Sequence, residues 1–121
     1  MIIDEASLVP IFMQVAQWLE EEILNEHIRE EEQVPSTNQL AAMYHINPAT
    51  ARKGFDLLVD EGILYKKRGI GMFVSDGAKE LIRKKSKKRF VDETVRSVMA
   101  EAKKLGLTKK DVISIIEEME E

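Results

Sequence analysis

The sequence predicts a mainly helical fold of the α+β class: three N-terminal helices, one β-hairpin, then a tail of two helices. Three observations predict it. In "YHINPATARKGF", Tyr44 to Phe55, Asn47 and Pro48 interrupt two helical patterns. Asn is a favoured N-cap, and Pro at the first helical position forfeits no hydrogen bond. The residue before a proline is pushed out of the α region, so one helix must end and another begin across a tight turn. Second, "KKRGIG" carries two glycines between β-rich runs, which reads as the turn of a hairpin. Third, the chain from Gly77 onward is a long charged helical pattern with a valine seam.

The elements follow in order. Pro10 starts the first helix, with Ser7 as a candidate cap. Ile11, Val15, Trp18, Leu19 and Ile23 recur at helical spacing, and Glu20, Glu21 and Glu22 are expected on the wet side. An acidic connector, "IREEEQVP", ends in a short extended piece at Gln33 and Val34, as Pro35 requires. Ser36 caps a second helix whose inner face is Leu40, Ala41 and Tyr44. The third helix runs from Pro48 to about Asp60, with Ala51, Phe55, Leu58 and Val59 facing inward. Its other face carries Ala49, Thr50, Arg52, Lys53 and Asp56, and Gly62 terminates it. Ile63–Tyr65 and Met72–Val74 are the expected hairpin strands. A lone hairpin is marginal, so it must pack on the three helices. Three helices with such a hairpin make a winged helix-turn-helix, expected over residues 1–76.

Residues 77–121 are expected to form a helical dimerisation tail. Val91, Val95, Val98 and Ala102 are spaced by four, three and four, a heptad-like seam. Gly106 breaks that helix, and Thr108 with Asp111 resembles a capping box. A last helix places Val112, Ile115, Ile116 and Met119 on one face. Two helices cannot bury both apolar faces in one chain of this size, so a second copy is the expected partner.

Composition narrows the function classes. The 121 residues, 44% hydrophobic, suffice for a core, and the absence of cysteine excludes disulfides and thiolate metal sites. Asp4 and Glu5 stand where a signal peptide would be positive. No apolar run approaches the ~18 residues of a membrane span, so a cytoplasmic protein without membrane contact is expected. The net charge of −4 conceals an asymmetry. Residues 1–44 hold nine acids and one base, residues 45–89 twelve bases and five acids, residues 90–121 eight acids and five bases. A cationic middle on an acidic body fits a polyanion, or ordinary clustered surface charge. His27 and His45 have no partner at ligand spacing, and no nucleophile, metal or phosphate-loop motif is present. No enzyme, metal site or cofactor is expected.

The candidate site is therefore a nucleic-acid interface. Ala49, Thr50, Arg52 and Lys53, behind the Asn47 cap, occupy the start of the third helix, the part of a recognition helix that meets base edges. Arg pairs with guanine, Ala or Thr methyls touch thymine, and Lys suits phosphate. Arg68, Gly69 and Gly71 would form a hairpin tip able to approach a backbone or minor groove. Ser36, Thr37 and Asn38 could bond a phosphate, or Ser36 could serve only as a cap. "RKKSKKR", residues 83–89, reads more readily as a solvated helix face than as a further phosphate contact.

The order "PIFMQV", "VPSTNQLA", "INPATARKGFDLLVDEGIL", "RGIGMFV" resembles the DNA-binding domain of GntR-family bacterial transcription regulators over residues 9 to 75. The short two-helix tail looks like the YtrA-type branch. The resemblance implies a homodimer on a palindromic operator in double-stranded DNA, usually repressing. Thr50, Arg52, Arg68, Gly69 and Gly71 fit the family pattern. Asn38 and Pro48 stand where the family usually has arginine, and Glu26 and Glu31 where it usually has glycine. Two alternatives are a winged-helix protein-interaction module and an architectural DNA binder without sequence choice. Nothing supplies the fixed polar groups that would specify a small-molecule effector, and that question stays open.

Overall fold

The computed structural model describes residues 1–120. The helices are α1 (Ile11–Leu24), α2 (Thr37–Tyr44), α3 (Pro48–Asp60), α4 (Ala78–Arg89), α5 (Arg96–Lys104) and α6 (Lys109–Glu118), with strands β1 (Leu64–Lys67) and β2 (Gly71–Val74). A π-helical segment, Phe90–Val95, links α4 to α5. The chain forms two compact units, Met1–Arg83 and Lys84–Glu121.

In the first unit α1 and α2 both pack on α3. The core is Val15, Leu19 and Ile23 of α1, Leu40 and Ala41 of α2, Ala51, Phe55 and Leu58 of α3, and Ile63, Leu64 and Val74 of the hairpin. Ala78 and Ile82, at the start of α4, belong to the same core and are fully buried. The first compact unit therefore extends past Asp76, the expected boundary, because the first turns of α4 close one side of this core.

Several helix ends share one device. At α1, α3 and α5 a left-handed residue follows the helix, and two successive N–H groups donate back to its last turn. Gly62 and Gly106 do this after α3 and α5, as the sequence leads one to expect. After α1 the left-handed residue is Glu26, and His45 closes α2 with φ +55. Ser36 caps α2 in a full capping box with Gln39, at 3.0 and 3.1 Å. Asn47 Oδ1 accepts from Ala49 N–H at 2.8 Å, and Pro48 begins α3.

Two readings of α1 need correction. Ser7 does not cap it: its hydroxyl accepts from Val9 N–H at 3.1 Å, and α1 has no side-chain cap. Glu20 is not on the wet side but buried, because it lies one turn beyond Ala16 on the face that Leu19 and Ile23 also bury.

β1 and β2 pair antiparallel, from Leu64 opposite Val74 to Lys67 opposite Gly71. The strands run further into "KKRGIG" than the sequence suggests, leaving Arg68, Gly69 and Ile70 as the tip. Residues 31–34 line the other edge of β2. Glu31 N–H donates to Val74 O at 2.8 Å, Val34 N–H donates to Met72 O at 3.0 Å, and Gln33 stands opposite Phe73.

In the second unit Ala102 and Val112 are buried, whereas Val91, Val95, Val98, Ile115 and Ile116 are exposed. The continuous seam Val91, Val95, Val98, Ala102 is corrected: the π-helical segment, with bonds closing i→i+5, breaks the heptad spacing. Phe90, Val95, Val98 and Met99 instead line an apolar groove of about 490 Å3 with Val112, Ile113 and Ile116 of α6. Met119 lies beyond the end of α6 and has left the helical conformation. Thr108 and Asp111 form the expected capping box.

Candidate nucleic-acid interface

The face presented by α3 is set by what the opposite face buries. Ala51, Gly54, Phe55 and Leu58 turn into the core, which leaves Ala49, Arg52 and Lys53 exposed and Thr50 half-buried. α3 can lie close to α1 because of Gly54: a Cβ there would sit 2.6 Å from Phe12 O and 3.1 Å from Val15 Cβ. Gly54 is not among the residues that the helical pattern singles out on α3. The signal was present, since an interior glycine in a helix costs stability and wants a reason.

The charges on this face are not equivalent. Lys53 Nζ lies 4.1 Å from the centre of the Phe12 ring, a cation–π contact that holds its ammonium against α1. Asp56 pairs with Lys66 of β1 at 3.5 Å and ties α3 to the hairpin. Arg52 has no ion-pair partner among the described residues and is exposed. Asn47 has its oxygen engaged as the cap, so only its amide N–H groups are available outward.

The hairpin sorts its three bases in the same way. Lys66 goes to Asp56, and Lys67 Nζ lies 4.4 Å above Phe73, whose ring stacks with Tyr65 at 5.9 Å between centroids. Arg68 is left at the tip with Gly69 and Ile70, all exposed. Tyr65 donates to Glu31 at 2.5 Å, and this bond to a carboxylate holds its hydroxyl above the usual tyrosine range. Near the start of α2, Ser36 and Asn38 are exposed and Thr37 half-buried. Ser36 Oγ accepts from Gln39 N–H, which leaves its own O–H free to donate.

Among the described residues no group of His, Cys, Asp or Glu could hold a metal ion, and no helix is long and apolar enough to cross a membrane. A capped helix presenting an exposed arginine, with a basic wing beside it, defines a winged helix-turn-helix of the nucleic-acid-binding kind.

The chain belongs to the gntR family of bacterial regulatory proteins, whose profile matches residues 12–74. It is 30% identical over 105 residues to the HTH-type transcriptional repressor YtrA of Bacillus subtilis, covering 87% of this chain and 80% of that one. It is 35% identical over 75 residues to the HTH-type transcriptional repressor NagR of the same organism, covering 62% of this chain but only 31% of NagR. Among solved structures, a GntR-family regulator from Bacteroides thetaiotaomicron superposes with a TM-score of 0.76 at 32% identity, over 89% of this chain and 94% of that one. AraR(DBD), solved in complex with operator ORX1, gives 0.56 at 27% identity, over 62% and 93%.

Proposed function

We propose that this protein is a homodimeric, sequence-specific repressor acting on a palindromic operator. The observation that carries the reading is the exposed start of α3, with Arg52 unpaired among the described residues behind the Asn47–Pro48 cap. Arg52 reads a base edge, Ala49 and Thr50 contact methyl groups, and Lys53, Ser36, Thr37, Asn38 and Asn47 hold the backbone. Arg68, Gly69 and Gly71 carry the wing to an adjacent groove. Family membership and the likeness to an operator-bound domain support this assignment. The repressor named YtrA, which this chain matches over most of both lengths, supports repression as the outcome.

Dimerisation is assigned to the second unit. Val95, Val98, Ile113, Ile115 and Ile116 leave an apolar face that water would penalise by about 25 cal/mol per Å2. Val91 and Met119 are exposed as well, while Ala102 and Val112 are buried within the unit. Two copies joined in this way present two recognition helices to two half-sites, and the linkage raises affinity without any new contact.

Selection of bound duplexes from a random pool tests the reading. A repressor of this kind enriches an inverted repeat. Enrichment of no sequence despite binding assigns an architectural role instead, and no binding at all leaves a protein-interaction module.

A further inference from the structure

The tip of the wing is held from outside the hairpin. Gln33 lies on the segment paired along the outer edge of β2, opposite Phe73. Its side chain crosses Gly71 and its Nε2 donates to the carbonyl of Ile70 at 3.0 Å, 37 residues away in sequence. Gly71 makes room for it. Its φ is +146°, and a Cβ there would lie 2.5 Å from Gln33 Nε2. Within the tip, Ile70 N–H donates to Lys67 O at 3.0 Å. Lys66 and Lys67 are drawn back to Asp56 and Phe73, so the basic group that Gln33 holds in place is Arg68.

We infer that Gln33 is a positioning residue for the wing, fixing the Arg68–Ile70 tip in the orientation that meets DNA. This rests on the DNA-binding reading above. A tip that contains one glycine and is followed by another has wide backbone freedom, and ordering it on contact would weaken binding. A hydrogen bond from a separate, strand-paired segment removes that freedom beforehand. Gln33 is exposed and uncharged, so neither core packing nor attraction to phosphate accounts for it.

The test uses the full chain and a duplex recovered by random-pool selection. Gln33→Met keeps the length without a donor, and Gln33→Glu keeps the size with acceptors only. Each is expected to weaken binding about three- to tenfold, the worth of one hydrogen bond. Arg68→Ala should weaken it at least as much, and adding Gln33→Met to Arg68→Ala should weaken it no further. Minor-groove protection beside each half-site should fall in Gln33→Met while major-groove protection persists. Unchanged affinity in Gln33→Met, additive losses in the double variant, or equal loss of protection in both grooves would each overturn the inference. Those outcomes leave DNA binding intact, whereas failure of the unaltered chain to enrich any duplex overturns the DNA-binding reading itself.

Discussion

His45 and Glu26 occupy the left-handed region at φ +55 and +59, and Glu31 joins them at +69. A side chain there costs about 1–2 kcal/mol relative to the right-handed region. Glycine removes that cost but frees the unfolded chain by about 0.4–1 kcal/mol. His45→Gly should therefore stabilise by about 0.5 kcal/mol net and raise the Tm by a few degrees. A fall in Tm on thermal unfolding would mean that the imidazole makes a contact worth more than the strain. At Glu26 the balance differs, because its carboxylate pairs with Lys79 Nζ at 2.9 Å. On α3 the two bases should separate by kind of contact. Arg52→Ala should reduce affinity for the selected duplex by about one to two powers of ten and flatten preference at one base pair per half-site. Lys53→Ala should weaken selected and scrambled duplexes alike and lower the salt slope by about 1 per contact. Binding isotherms on both duplexes at several salt concentrations check both. An equal loss on both duplexes for Arg52→Ala would make that residue a phosphate clamp.

At the scale of elements, the α1–α3 crossing decides how α3 is aimed. Gly54→Ala gains about 1 kcal/mol of helix propensity. The added Cβ meets the Phe12 carbonyl at 2.6 Å, and this backbone atom cannot rotate away. Overpacking of this kind costs about 1–3 kcal/mol, so a net loss of stability is expected in chemical denaturation. A stabilised variant would show that α1 can shift freely. Helix α6 depends on its capping box in a testable way. Thr108→Ala should cost about 1 kcal/mol and expose the first-turn amides to faster hydrogen exchange. The backbone and hydroxyl bonds from Thr108 hold the Asp111 carboxyl below the usual aspartate range. A carboxyl whose folded value is lowered contributes above its unfolded value and ceases to contribute as pH falls through the folded one. The α6 amides should therefore lose protection at acid pH, and Thr108→Ala should blunt that dependence. Capping pairs of this sort are legible because donor and acceptor lie three residues apart. The π-helical segment was not legible, because no local spacing distinguishes an i→i+5 turn from an ordinary one.

For the molecule as a whole, the two compact units set where it can be divided. A chain ending at Asp76 loses Ala78 and Ile82 from the first core, both fully buried. Removing a buried residue the size of Ile82 costs about 2–5 kcal/mol. The chain 1–76 should thus unfold at markedly lower temperature than 1–83 in thermal melts. The chain 1–83 should be folded, monomeric at micromolar concentration by sedimentation, and weaker on the selected duplex because the half-sites are no longer linked. A dimeric 1–83 would move the interface out of the tail. A melting temperature equal to that of 1–76 would mean that α4 contributes nothing to the first core.

The sequence alone determined whatever depends on neighbours within a few residues. The Ser36 and Asn47 caps, Gly62 and Gly106 as helix ends, the Thr108–Asp111 box and the apolar faces of α1 and α3 all fall in that class. Only the tertiary structure decided which of the similar residues are free to act. Lys66 and Lys67 read like Arg68 in the sequence, yet each is drawn to a carboxylate or a ring on another element. Glu20 reads as solvated and is buried, and Gln33 reads as connector yet reaches Ile70. The physical reason is range. Caps and helical periodicity are set by bonds that span three or four residues, whereas the partner of a long side chain is whatever the fold brings within a few ångströms of its tip.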